Sequence, residues 1–121
     1  MTRKELINHR LTFPAAYEDY PFDNDSAHSD DGKWAVMRHR ANRKGFAHIY
    51  ERNGKFCINL KCEQLEANFL RKAFKDVTPG WHMNMVHWNT VYLNGDVSDE
   101  ELKRQIEMSY ELVEPKERKR R

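Results

Sequence analysis

Between positions 81 and 90 the chain reads Trp81-His82-Met83-Asn84-Met85-Val86-His87-Trp88-Asn89-Thr90, which holds two of its 3 tryptophans and two of its 6 histidines. His82, Asn84, His87, Trp88, Asn89 and Thr90 form a candidate ligand site. Imidazoles exchange protons near neutral pH, and carboxamides orient whatever is bound beside them. The same residue types support a second reading. Aromatic rings supply buried area, their polar neighbours need hydrogen-bond partners, and the stretch then becomes a structural knot. Both readings remain open on the sequence. The two histidines stand five apart, which suits neither one helical face nor one strand face. No acidic residue completes a zinc pattern with them, so neither a metal nor a cofactor is expected. Asp76 and Asp96 are the carboxylates available for acid–base pairing with His82 or His87, with no spacing that favours it.

A second group is cationic. Arg38-His39-Arg40-Ala41-Asn42-Arg43-Lys44-Gly45 carries five side chains that are or can become positive, and Asn42 and Gly45 favour a loop. The segment reads as a hairpin tip, with Arg38, Arg40, Arg43 and Lys44 as candidate nucleic-acid-binding residues. Each cation on such a tip neutralises a phosphate and releases counterions. The plain alternative is a solvated loop whose charge keeps the hairpin from aggregating. Lys116, Arg118, Lys119, Arg120 and Arg121 form another basic run. It reads as a disordered tail that adds non-specific affinity.

Nucleophilic chemistry finds little support. Ser109 falls among core positions of a helix, Ser98 reads as a helix cap, and Cys57 belongs to a strand. No glycine-rich phosphate loop exists among the 5 glycines. Cys57 and Cys62 match no metal or redox spacing and read as free buried thiols. The chain is accordingly not expected to be an enzyme.

The elements that position these groups follow from local signals. Thr2-Arg3-Lys4-Glu5 is a capping box opening a helix with apolar positions Leu6, Ile7, Leu11 and Phe13, which Pro14 ends. Ala15 to Phe22 reads as a linker with aromatic anchors. Asp23-Asn24-Asp25-Ser26 is a turn, a weak extended piece follows at Ala27-His28, and Asp30-Asp31-Gly32 turns again. Trp34 to Arg38 is a strand. Asn53-Gly54 marks a hairpin between Phe46–Arg52 and Lys55–Lys61. A two-residue loop sets Arg52 opposite Lys55, and that register places Glu51 opposite Phe56, Ile49 opposite Ile58 and Ala47 opposite Leu60 together on a core face. Tyr50 then meets Cys57, His48 meets Asn59 and Phe46 meets Lys61 on the other face. That face is too aromatic to be plain solvent surface, and the tryptophan-histidine stretch is the best cover for it. Glu63 to Phe74 repeats apolar residues at Leu65, Phe69, Leu70, Ala73 and Phe74, an amphipathic helix that Asp76 to Gly80 breaks. His87 to Leu93 is a strand. Ser98-Asp99-Glu100-Glu101 is a second capping box, followed by a stripe of Leu102, Ile106, Tyr110 and Val113. Segregated elements in this order predict an α+β domain with a mainly antiparallel sheet packed against helices.

The chain has 121 residues, enough for one domain and one core. Hydrophobic residues make up 39% and aromatics 12%, so the core is built largely from rings. No apolar run reaches a membrane span and residues 1–5 carry no signal-peptide core, so the expected location is cytoplasmic. The formal charge is +2. The segment Glu114 to Arg121 holds five basic and two acidic residues, a net of +3, which leaves −1 on the preceding 113. A nearly neutral domain with a basic tail does not bind nucleic acid by bulk charge alone.

The run His82-x-Asn84-x-x-His87-Trp88-Asn89-Thr90 resembles the signature of the MmcQ/YjbR-like family. Pro21-Phe22, the block Cys57-Ile58-Asn59-Leu60-Lys61-Cys62 and Ser109-Tyr110-Glu111-Leu112-Val113 extend the resemblance over about residues 2 to 114. It implies a split β-α-β arrangement similar to the double-wing domain of the phage transcription factor MotA, with Ala15–Phe22 as an irregular arm against the sheet. It also implies duplex DNA as a partner. A protein partner and a small ligand at the signature site are the alternatives. The expected boundaries are a single domain over 1–114 and the basic tail over 115–121. Where the family often carries lysine after the asparagine, this chain has Met85, so no role of that lysine carries over.

Overall fold

The computed structural model describes residues 1–20 and 34–115. The turns and extended piece expected between Pro21 and Gly32, the side chain of Leu11 and the basic tail lie outside the described residues. The described elements run α1 (Arg3–Asn8), a 3-10 turn (His9–Thr12), β1 (Ala16–Asp19), β2 (Ala35–His39), β3 (Gly45–Arg52), β4 (Lys55–Lys61), α2 (Gln64–Ala73), β5 (Val77–Pro79), β6 (Trp88–Tyr92) and α3 (Asp99–Val113). The strands form one six-stranded sheet in the order β1-β2-β3-β4-β6-β5, antiparallel throughout. No helix among the described residues is long and apolar enough to cross a membrane.

The β3–β4 hairpin has the register that its turn dictates. Arg52 faces Lys55, Ile49 faces Ile58 and Ala47 faces Leu60. Asn53 and Gly54 both take positive φ, 55° and 78°, as a two-residue turn matched to strand twist requires. Ala47, Ile49, Ile58 and Leu60 join Leu6, Ala35, Met37, Leu70, Val91, Leu102 and Ile106 in the core. The capping box of α1 is closed, with Glu5 N donating to Thr2 Oγ1 at 3.0 Å and Thr2 N donating to Glu5 Oε1 at 2.8 Å.

Several expectations are corrected. The supposed linker after Pro14 contains the edge strand β1, held by pairing Ala16 with His39 and Asp19 with Val36. The break after α2 contains a second edge strand, β5, paired with β6. Phe46 does not oppose Lys61. The register shifts from Met37–Ala47 to Arg38–Gly45, so Phe46 is the bulged residue. Its ring turns to the helical side, 5.9 Å from Phe13 and 5.1 Å from Tyr110. In α2 the buried residues are Ala67 and Leu70, whereas Leu65 and Phe69 are 74% and 62% exposed and Ala73 faces solvent. The helix lies on the sheet along a narrow seam, so Leu65, Phe69 and Ala73 point outward while Phe74, at the cap, packs against the core. The second capping box is half-formed. Ser98 Oγ accepts from Glu101 N, but the Glu101 carboxylate binds Arg104 at 2.6 Å instead of the cap backbone. A guanidinium is a stronger donor than a neutral amide.

Candidate functional site

Residues 80–87 connect β5 to β6 across the sheet face opposite the helices, and they are pinned there by backbone contacts. Trp81 N donates to Thr90 Oγ1 at 2.9 Å, and Asn59 Nδ2 donates to the Trp81 carbonyl at 3.0 Å. Thr90 Oγ1 and the Tyr50 hydroxyl both donate to Asn59 Oδ1, at 2.6 Å and 2.7 Å. Tyr50, Asn59 and Thr90 are all fully buried, and burial pushes the Tyr50 phenol up to about 12. Trp34 and Trp81 stack on Tyr50 with ring centres 4.5 Å and 5.3 Å away, and the Arg52 guanidinium lies 4.6 Å from the Trp81 ring centre. The aromatic face is thus covered by the stretch expected to cover it. Gly80 makes the approach possible, since a side chain there would stand 2.7 Å from Trp88 Cβ.

The six signature side chains are not brought together. Thr90 belongs to the buried network, while Asn89 points to the helical face. There it accepts from Arg71 Nε at 2.6 Å and donates to the Ala67 carbonyl. Arg71 also donates to the carbonyls of Trp88, at 3.2 Å, and Met85. Asn84 closes a local turn by accepting from Val86 N, at 2.9 Å. Trp88 is half-buried and meets His48 edge-on at 5.5 Å. His82, at φ 62°, and His87 are exposed. Asp76 and Asp96 bond each other's backbone N–H groups, so these carboxylates are committed to their own turn. Among the described residues no group of three His, Cys, Asp or Glu side chains converges as a metal site. Sequence reasoning missed Arg71; its spacing in α2 carries no motif, and only the folded loop reveals its partners.

The other polar candidates have structural tasks. Ser109 Oγ donates to the Phe46 carbonyl at 2.6 Å and accepts from Lys61 N at 2.8 Å. Cys57 and Cys62 are free and buried, and burial raises each thiol to about 11.

The cationic hairpin separates into bound and unbound charges. Arg38 lies in β2, where its Nε meets Asp19 Oδ2 at 2.8 Å and its Nη1 donates to the Arg43 carbonyl. His39 is also in the strand and is buried, with Nε2 donating to the Tyr110 carbonyl at 2.8 Å and the ring stacked 4.2 Å from Tyr110. The tip is therefore Arg40–Lys44, not the whole segment from Arg38. Arg40, Arg43 and Lys44 are exposed, and among the described residues none of them has a carboxylate within ion-pair distance. Tyr17 supports Arg40 from β1, its ring centre 5.7 Å from the guanidinium carbon. Asn42 fixes the loop to α3 through Nδ2, which donates to the Val113 carbonyl at 3.0 Å. Tyr17, Asp19 and Asn42 were not legible as site residues, because each acts across the chain.

Comparison with known proteins gives consistent likenesses. The YjbR family model matches residues 11–112. An Escherichia coli K12 protein described as uncharacterized protein YjbR is 30% identical over 111 residues, covering 92% of this chain and 86% of the relative. The Bacillus subtilis uncharacterized protein YyaQ is 26% identical and covers 93% and 98%. A Pseudomonas syringae crystal structure aligns with a TM-score of 0.79 at 30% identity, over 94% of this chain and 100% of that one. A Deinococcus radiodurans structure gives a TM-score of 0.76 at 28% identity, over 93% and 78%.

Proposed function

Given that the chain belongs to the YjbR family, we propose that it is a cytoplasmic, non-catalytic DNA-binding module whose β2–β3 hairpin acts as a wing on the phosphate backbone. One observation carries this reading: Arg40, Arg43 and Lys44 stand exposed on a tip braced by Asn42 and His39, while the neighbouring Arg38 is already neutralised. Three cations with no carboxylate partner among the described residues, on a loop tied to α3, match a row of phosphates without desolvating such a partner first. The test is duplex affinity against salt for the full chain and Arg40→Ala/Arg43→Ala. Loss of two phosphate contacts lowers the slope of log affinity against log salt by about 2. An unchanged slope removes the hairpin from the interface.

A specific observation favours one second reading, a protein-interaction adaptor. Leu65, Phe69, Met85 and Val86 expose 74, 62, 59 and 45% of their surface. The aromatic residues Tyr50 and Phe46, by contrast, are fully buried and add nothing to this surface. The ligand-site reading gains no such support, because His82 and His87 face solvent away from the Asn59 network.

A further inference from the structure

We infer that the sheet face opposite the helices is a stacking surface for the unpaired bases of single-stranded DNA, with Tyr17 and Trp88 at its ends and Arg38 and Lys61 between them; the choice of DNA rests on the wing reading above, the surface itself does not. Strand pairing sets these residues in one row, because directly opposed residues project to the same face. Tyr17 opposes Arg38, Arg38 opposes Gly45, and Lys61 opposes Trp88. His48 joins the two halves: its ring centre is 5.5 Å from that of Trp88, and the Arg38 charge acts on it. A side chain at Gly45 would stand 2.8 Å from Val36 Cγ1 and 3.2 Å from His48 Nε2, so the middle of the row carries no side chain of its own. Tyr17, Arg38, His48, Lys61 and Trp88 are all half-buried, held by the sheet yet partly open to solvent.

Charge and ring chemistry together select the occupant. Among the described strand residues of this face, Arg38, Arg52, Lys55 and Lys61 are cationic and Asp19 is the one acid, already paired with Arg38. Arg40 extends the row past Tyr17, its guanidinium carbon 5.7 Å from the ring centre. Such a face attracts a polyanion, and Lys61 and Arg40 meet its phosphates. Burial and Arg38 hold His48 at about 4, so at neutral pH it serves as a ring and not as a cation. Rings set in a sheet stack on bases of any sequence, but only on unpaired ones, because a duplex keeps its base faces inside its own stack. From β1 to β6 the row crosses four strand spacings, about 19 Å. That accommodates about five nucleotides at the stacked spacing of about 3.4 Å. The hydroxyl and carboxamide groups at the centre of the face, on Tyr50, Asn59 and Thr90, are buried and spent on one another, so they do not read a 2′-hydroxyl.

Fluorescence anisotropy of a labelled twelve-base oligothymidylate, over a salt series, tests this surface with the full chain, beside a duplex and an oligouridylate of the same length. Trp88→Ala and Tyr17→Ala are each expected to weaken single-strand binding about tenfold, as loss of one stacked base does, and duplex binding less than twofold. Trp88→Phe keeps a ring and is expected to stay within about threefold of the parent chain. Lys61→Gln removes one cation and is expected to lower the single-strand salt slope by about 0.7. Thermal midpoints establish that each variant folds; should Trp88→Ala fail to fold, Tyr17→Ala and Lys61→Gln carry the test. No binding of oligothymidylate, or full affinity in the ring variants that fold, overturns the stacking surface. Equal losses on single strand and duplex overturn it as well, because they place these residues on a duplex contact. Oligouridylate bound more than tenfold tighter than oligothymidylate overturns the assignment to DNA. The wing is judged apart from these results, by the duplex salt slope of Arg40→Ala/Arg43→Ala.

Discussion

Asn59 does the work of several residues at the centre of the covered face. Its Oδ1 accepts from Tyr50 and Thr90 while its Nδ2 holds the Trp81 carbonyl. Asn59→Ala leaves three buried polar groups without that partner and is expected to cost about 3 kcal/mol, against about 1 kcal/mol for Tyr50→Phe, read from urea unfolding. His48 gives a pH signature. Burial, with the nearby Arg38 charge, lowers it from 6.5 to about 4. The unfolded chain therefore binds this proton more tightly between those values. Stability from neutral His48 is complete above pH 6.5 and is lost as pH falls toward 4, an effect on the order of 2 to 3 kcal/mol. His48→Gln should flatten the pH dependence of the unfolding free energy in that window; an unchanged profile would place the titration elsewhere.

At the scale of elements, α2 shows how pattern and burial part company. Its apolar residues suit one wide stripe, but the helix meets the sheet through Ala67 and Leu70 alone among its buried residues. Leu65→Lys and Phe69→Lys should each change stability by less than about 0.5 kcal/mol, whereas Leu70→Ala should cost about 2 to 5 kcal/mol. A large loss at Phe69 would mean that the helix packs on another face. Arg71 sets the position of the β5–β6 loop from the same helix. Arg71→Ala should cost about 1 to 3 kcal/mol and raise amide exchange at Met85 to Asn89. The extent of α2 and the β3–β4 register were legible because helical periodicity and turn residues act over a few positions. The bulge at Phe46 was not, because it depends on how β2 pairs with β3 and on the space left by Phe13 and Tyr110.

Over the whole molecule, one sheet separates two environments. Three helices and an apolar core occupy one side of it, and the pinned tryptophan loop covers part of the other. Cys57 and Cys62 are both buried, with thiols raised to about 11. Thiol labelling at pH 8 should therefore be slow in the native protein and fast in urea, with both cysteines following the global transition. Fast labelling of one cysteine alone would reveal local opening at its strand.

The amino-acid sequence by itself determined the family, the α+β class, the hairpin at Asn53-Gly54 and the presence of two charged or polar candidate regions. Those depend on neighbours in the chain, where turn geometry, periodicity and motif spacing act directly. Tertiary structure decided which groups remain available. Arg38 is withdrawn by Asp19 from 19 positions away, and His39 by Tyr110 from 71. Thr90 is consumed by Asn59 from 31 positions away, and Asn89 by Arg71 from 18. Such pairings are chosen by the folded sheet, because a buried polar group takes the partner that the packing brings to it. Arg40, Arg43 and Lys44 are left facing solvent because the tip lies beyond the last strand pair, where no carboxylate of the described residues is brought close.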